Sequence, residues 1–152
     1  FLAENYPGIH VVEKRMGSFN VPHEQQVSEE TLKANPGLNA IVALMDATTR
    51  GALSTIDSNL AYRSVKVIGF DSGSLSFSSA SLDSLVVQNM PEMGNRAIDV
   101  IHAIRAGRSV PAQTVLEPML VTRENRDSDK VRSWTSTDYR PGPFHLDWGI
   151  WQ

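Results

Sequence analysis

Two short apolar runs constrain this chain more than anything else in it. Ala40–Leu44 and Val65–Phe70 are almost uninterrupted by polar residues. Each is too short for a helix, and runs of this kind belong to strands covered on both faces, a situation typical of parallel sheets. The stretch between them, Thr48–Tyr62, carries Ala52, Leu53, Ile56 and Leu60 at spacings of three and four, which is helical. Strand, helix and strand in that order make a βαβ unit. Repetition of the pattern points to an α/β fold built on an open, mostly parallel sheet flanked by helices.

Further strands are expected at Ile9–Val12, Leu85–Val87 and Val115–Val121. Helices are expected at His23–Ala34, with Val27, Thr31 and Ala34 on one face, and at Pro91–Ala106. In the latter, Met93, Ala97, Val100, Ile101 and Ile104 form an apolar stripe, Pro91 sits in the first turn and Gly107 follows the end. His102 borders that stripe and is expected to be partly buried. Asp46 or Thr48 is placed to cap the second helix. Phe1–Tyr6 reads as the last turn of a helix stopped by Pro7-Gly8, with no strand before it. Ser72–Ser84, with seven serines in thirteen residues, reads as a loop. Residues 126–152 hold five of the eleven aromatics and form a tail, folded back over the domain or docking a partner.

Several functions are excluded or disfavoured at this level. With no cysteine there is no disulfide, thiol nucleophile or thiolate metal site. A net charge of -3 without any basic block speaks against a nucleic-acid surface. No apolar run approaches the roughly 18 residues of a membrane-spanning helix. His10, His23, His102 and His145 share no metal-ligand spacing, and neither a phosphate loop nor a nucleophile elbow is present. The first methionine is Met16, so the sequence is expected to be a portion of a longer polypeptide, with any leader upstream.

The positive signal is positional. Asp46 lies two residues past Leu44, Asp71 directly follows Phe70, and Gln88 directly follows Val87. Open α/β sheets bind ligands at the carboxyl ends of their strands. An aspartate and a glutamine there offer acceptors and donors suited to vicinal hydroxyls. Capping of the following segment is the competing role, and for Asp46 it is the stronger one.

Five motifs in register carry a resemblance. They are Asn35-Pro36-Gly37-Leu38-Asn39-Ala40-Ile41; Asp46 followed by Gly51-Ala52-Leu53; Val67-Ile68-Gly69-Phe70-Asp71; Val86-Val87-Gln88-Asn89-Met90-Pro91 with Met93-Gly94; and Val121-Thr122-Arg123-Glu124-Asn125. Together they resemble the carboxyl half of a type I periplasmic sugar-binding protein, the ribose-binding-protein and LacI-type fold. The resemblance spans residues 1–125 as a partial lobe and leaves 126–152 outside it. It implies a non-enzymatic protein without cofactor or metal, which closes two lobes on a small polar ligand such as a monosaccharide. Asp71 and Gln88 would bind sugar hydroxyls, and Phe19 would stack on the ring. Met45 stands where the family commonly has asparagine, which implies a changed pattern of hydroxyl contacts beside Asp46. The resemblance further implies a periplasmic or extracellular location and a membrane ABC permease as partner. The effector domain of a LacI-type regulator, or of a chemosensory or histidine-kinase system, is the alternative. The helix 91–106 would cross to the other lobe; without it, self-association or pairing with the missing amino-terminal half is expected.

Overall fold

The computed structural model describes residues 1–71 and 77–135. Its elements are α1 (Leu2–Asn5), α2 (Val21–Ala34), β1 (Ala40–Val42), α3 (Asp46–Ser58), β2 (Lys66–Phe70), β3 (Leu82–Val87), α4 (Met90–Arg105), β4 (Met119–Val121) and α5 (Asp129–Thr135). The sheet order is β1-β2-β3-β4. β1, β2 and β3 are mutually parallel, and β4 returns antiparallel along β3. This is the open, mostly parallel α/β sheet that the two apolar runs imply.

One face of the sheet is dry. Ala43, Val67, Leu85, Val87 and Val121 are buried there beneath Ala52, Leu53 and Ile56 of α3, with Leu32 of α2 and Val131 of α5 in the same cluster. Trp134 of α5 packs against it, so the described part of the aromatic tail lies on the core. Residues 136–152 lie outside the described residues. The opposite face carries Val42, Ile68, Phe70, Val86 and Leu120, of which Val42 and Leu120 are more than half exposed.

α2 and α3 approach closely through small and polar residues. The buried face of α2 is Glu24, Ser28 and Leu32, not the expected Val27, Thr31 and Ala34. Thr55 of α3 donates its hydroxyl to the Gln25 carbonyl at 3.0 Å, across the gap between the helices. Gly51 supplies the room, since a Cβ there would fall 2.5 Å from Glu24 Cβ and 2.7 Å from the Gln25 nitrogen.

Other expectations are corrected. Among the described residues Ile9–Val12 pairs with no strand, and Ile9, Val11 and Val12 are each more than half exposed. The helix expected over 48–62 starts at Asp46 and ends at Ser58. A separate 3-10 turn, Leu60–Tyr62, follows because Asn59 turns extended and accepts from the Ala61 amide. β4 is confined to Met119–Val121, just after Pro118, which has no amide to give a ladder. His102 is exposed, and no residue of α4 is buried at all.

The serine-rich stretch is the largest departure. β3 begins at Leu82 rather than Leu85, and Ser79, Ser81 and Ser84 are buried. Arg123 makes this possible. Its guanidinium donates to the carbonyls of Phe77 (2.9 Å), Ser79 and Leu82 (3.1 Å) and lies 5.5 Å from the centre of the Phe77 ring. Ser79 in turn donates to Asp57 at 2.8 Å. Arg123→Ala should therefore lower stability by about 2 kcal/mol, because buried carbonyls lose charge-assisted partners. Arg123→Lys, which keeps one such bond, should recover part of that loss in a urea titration.

Candidate ligand-binding site

The three parallel strands end side by side, and each hands the chain to a polar residue. β1 runs into Met45 and Asp46, β2 into Asp71, and β3 into Gln88. Adjacent strands lie about 4.8 Å apart, so these positions share one rim of the sheet.

Thr49 fastens the first two of them together. Fully buried, it donates its hydroxyl to the Met45 carbonyl at 2.9 Å and accepts from the Phe70 amide at 3.2 Å. The end of β1 and the end of β2 are thus joined through one side chain. A Cβ at Gly69 would lie 2.6 Å from both Thr49 Cγ2 and Leu85 Cδ2, so only glycine lets Thr49 sit this close to the strand. Asp71 is then tied to β3 by its amide, which donates to the Val86 carbonyl at 2.9 Å.

Asp71 has φ +64°, a left-handed conformation that aspartate and asparagine tolerate better than other non-glycine residues. It turns the chain abruptly off the strand and leaves the residue exposed. Gln88 is half-buried, with its carbonyl accepting from the Met90 amide at 3.0 Å. The cap of α4 is the next residue: the Asn89 side chain accepts from the Glu92 amide at 3.1 Å. Gln88 therefore does not serve as that cap.

Asp46 does not cap α3 either. Met45, which has no side-chain acceptor for the task, occupies the cap position, and Asp46 is the first helical residue. Its Oδ2 pairs with Arg50 one turn on, at 2.8 Å, while its Oδ1 is shut off from solvent without a partner. The carboxylate still suits the positive end of the helix. Thr48 likewise points elsewhere, donating to Glu24 Oε2 at 3.1 Å.

Glu24 is a feature the sequence reading missed. It is 1% exposed and accepts from the Ser18 amide as well as from Thr48. It therefore pins the connection before α2 to the first turn of α3. Phe19 follows directly on Ser18 and is 93% exposed. The structure thus gathers Met45, Asp46, Asp71 and Gln88 at three neighbouring strand ends, while Phe19 follows the Ser18 connection that Glu24 ties to the first turn of α3. A buried glutamate in an otherwise polar helix leaves no sequence signal, because such residues are usually solvated.

No family model matches the chain, and no match to a curated protein was found. Solved structures do match. A solute-binding protein of an ABC transporter from Agrobacterium vitis, bound with α-D-tagatopyranose, superposes with a TM-score of 0.79 at 19% identity. The match covers 86% of this chain and 45% of that one. A carbohydrate transporter solute-binding protein from Agrobacterium radiobacter, in complex with D-arabinose, gives 0.77 at 26% identity, over 88% and 46%. The periplasmic component of the arabinose ABC transporter from Shewanella sp. ANA-3 gives 0.72 at 21%, over 93% and 51%. The chain thus has the fold of the periplasmic sugar-binding proteins, and it spans about half their length.

Proposed function

We propose that this chain is the carboxyl-side lobe of a sugar-binding protein that delivers a monosaccharide to a membrane ABC permease from the periplasm or cell exterior. The convergence of Met45, Asp46, Asp71 and Gln88 at the carboxyl ends of three adjacent parallel strands supports this reading most directly. Such a rim offers carboxylate acceptors and a primary amide, the equipment for a ring of hydroxyls. The bare ring of Phe19 suits the apolar face of a pyranose or furanose. Met45 supplies bulk but no strong donor, and Asp46 is engaged by Arg50 with its other oxygen buried, so Asp71 and Gln88 carry the hydroxyl contacts. Binding of this kind needs no nucleophile and no proton shuttle, and the protein releases its sugar unchanged.

The test uses the longer polypeptide with both lobes, titrated calorimetrically against tagatose, arabinose, fucose and allose. Asp71→Asn and Gln88→Ala should each weaken binding of the accepted sugar by about 1.5–3 kcal/mol, roughly ten- to a hundredfold, as loss of a charge-assisted or buried hydrogen bond requires. Asparagine is the right replacement at Asp71, because it tolerates the same left-handed backbone. Unchanged affinity in both variants would place the ligand elsewhere.

A further inference from the structure

The residues that follow β1 differ in kind from those that follow β2 and β3. Three residues join β1 to α3: Ala43 is buried, Leu44 is 72% exposed and Met45 is half-buried. None of the three carries a side-chain donor or a strong acceptor. The Met45 carbonyl is already taken twice, by the Thr49 amide at 3.0 Å and the Thr49 hydroxyl at 2.9 Å. The polar side chains next in line are engaged within the protein. Asp46 pairs with Arg50, and Thr48 donates to Glu24. The end of β1 therefore offers hydrocarbon and a thioether.

The other two ends are polar. Asp71 stands exposed off the end of β2, and Gln88 is half-buried and relieved of capping by Asn89. β2 lies between β1 and β3, so the rim runs from apolar to carboxylate to amide in steps of about 4.8 Å. A sugar laid along it meets two partners for vicinal hydroxyls and, one strand further, side chains that can pair with none. A hydroxyl held against them gives up water without a side-chain partner in return. A methyl group in the same place gains contact with a polarisable sulfur. In a hexopyranose, C5 and its exocyclic C6 lie across the ring from the C2 hydroxyl. With the C2 and C3 hydroxyls on Asp71 and Gln88, C6 is the atom that reaches toward β1.

We propose that the site selects a 6-deoxyhexose, a monosaccharide whose C6 is a methyl rather than a hydroxymethyl group, and that Met45 is the residue that selects it. This inference rests on the reading of the rim as a sugar site and adds the class of sugar to it. A hexose with its C6 hydroxyl intact buries that hydroxyl unpaired against Met45. A pentose has no C6 and leaves the contact with Met45 unmade. The 6-deoxyhexose alone satisfies all three strand ends.

The experiment titrates the longer polypeptide with both lobes against pairs of sugars that differ only at C6: D-fucose with D-galactose, L-rhamnose with L-mannose, and 6-deoxy-D-glucose with D-glucose. Within the pair it accepts, the protein should bind the 6-deoxy member about ten- to a hundredfold more tightly, the range over which an apolar surface rejects an added hydroxyl. Met45→Gln keeps nearly the same shape and brings a primary amide. It should lower that preference about tenfold, chiefly by tightening the hold on the hydroxymethyl sugar. Met45→Leu stays apolar and should still favour the 6-deoxy member. Equal affinity for both members, or tighter binding of the hydroxymethyl member, would overturn the deoxy assignment while leaving the sugar site in place. Binding of a pentose alone would do the same. An unchanged preference in Met45→Gln would overturn Met45 as the selecting residue. Failure of every sugar to bind would overturn the underlying reading of the rim, and this inference with it.

Discussion

Gly51→Ala is expected to destabilise the chain by about 3 kcal/mol, at the upper end of what overpacking costs. The added methyl would lie 2.5 Å from Glu24 Cβ and 2.7 Å from the Gln25 nitrogen and the Glu24 carbonyl carbon. The last two are backbone atoms of α2, so no side-chain rotation relieves the clash. The helices must separate, and separation strains the Thr55 hydroxyl bond to the Gln25 carbonyl. Alanine has the higher helix propensity by roughly 1 kcal/mol, which makes a net loss the more telling. Gly94→Ala is the control, since nothing lies within 4 Å of a Cβ there. It should be neutral or stabilising in the same urea titration.

The second large effect is expected at Glu24. Removing its carboxylate with Glu24→Ala leaves the Ser18 amide and the Thr48 hydroxyl without their acceptor and opens a cavity between α2 and α3. Unsatisfied buried donors cost about 1–3 kcal/mol each, and the two together should lower stability by about 3–4 kcal/mol. Glu24→Gln retains a carbonyl oxygen, and Thr48 can rotate to accept from the amide, so about 1 kcal/mol should be lost. The consequence for binding is separate. On the proposed reading of Phe19 as a stacking residue, release of the connection that carries it should lower sugar affinity of the longer protein even in a variant that stays folded. Equal stability of Glu24→Ala and the parent chain would show that the buried glutamate is not what holds the 17–18 connection.

How much of the fold and the site was legible depends on the kind of signal. β1 and β2 were plain because a continuous apolar run too short for a helix reads as a strand, although the structure covers only one face of the sheet and leaves Val42 of β1 exposed. α4 was plain because its ends are marked locally, by Pro91 in the first turn and Gly107, at φ +68°, beyond the last. The positions of Asp71 and Gln88 came from these strands by simple adjacency. What stayed hidden depends on partners distant in sequence. Ser79, Ser81 and Ser84 look like solvent loop until Arg123, some forty residues on, meets the carbonyls around them. Glu24 looks solvated until Gly51 lets α3 close over it. Ile9–Val12 has strand composition, but a strand is defined by its neighbour, and none among the described residues pairs with it.

α4, unlike the other long helices, buries none of its residues fully, although Ile98, Val100 and Ala103 are half-buried. Its sixteen residues are held by the Asn89 cap, Pro91, the Glu92–Arg96 ion pair at 2.7 Å and the turn at Gly107, with no residue buried. An isolated helix of this length is marginal in water. With so little of it buried, α4 is expected to open locally at a lower free-energy cost than global unfolding. When α4 opens, the bonds after Arg96 and Arg105 become accessible to a trypsin-like protease. Burial of the Met93, Ile101 and Ile104 stripe would raise that cost, so resistance to nicking at these two arginines reports directly on whether anything covers the helix.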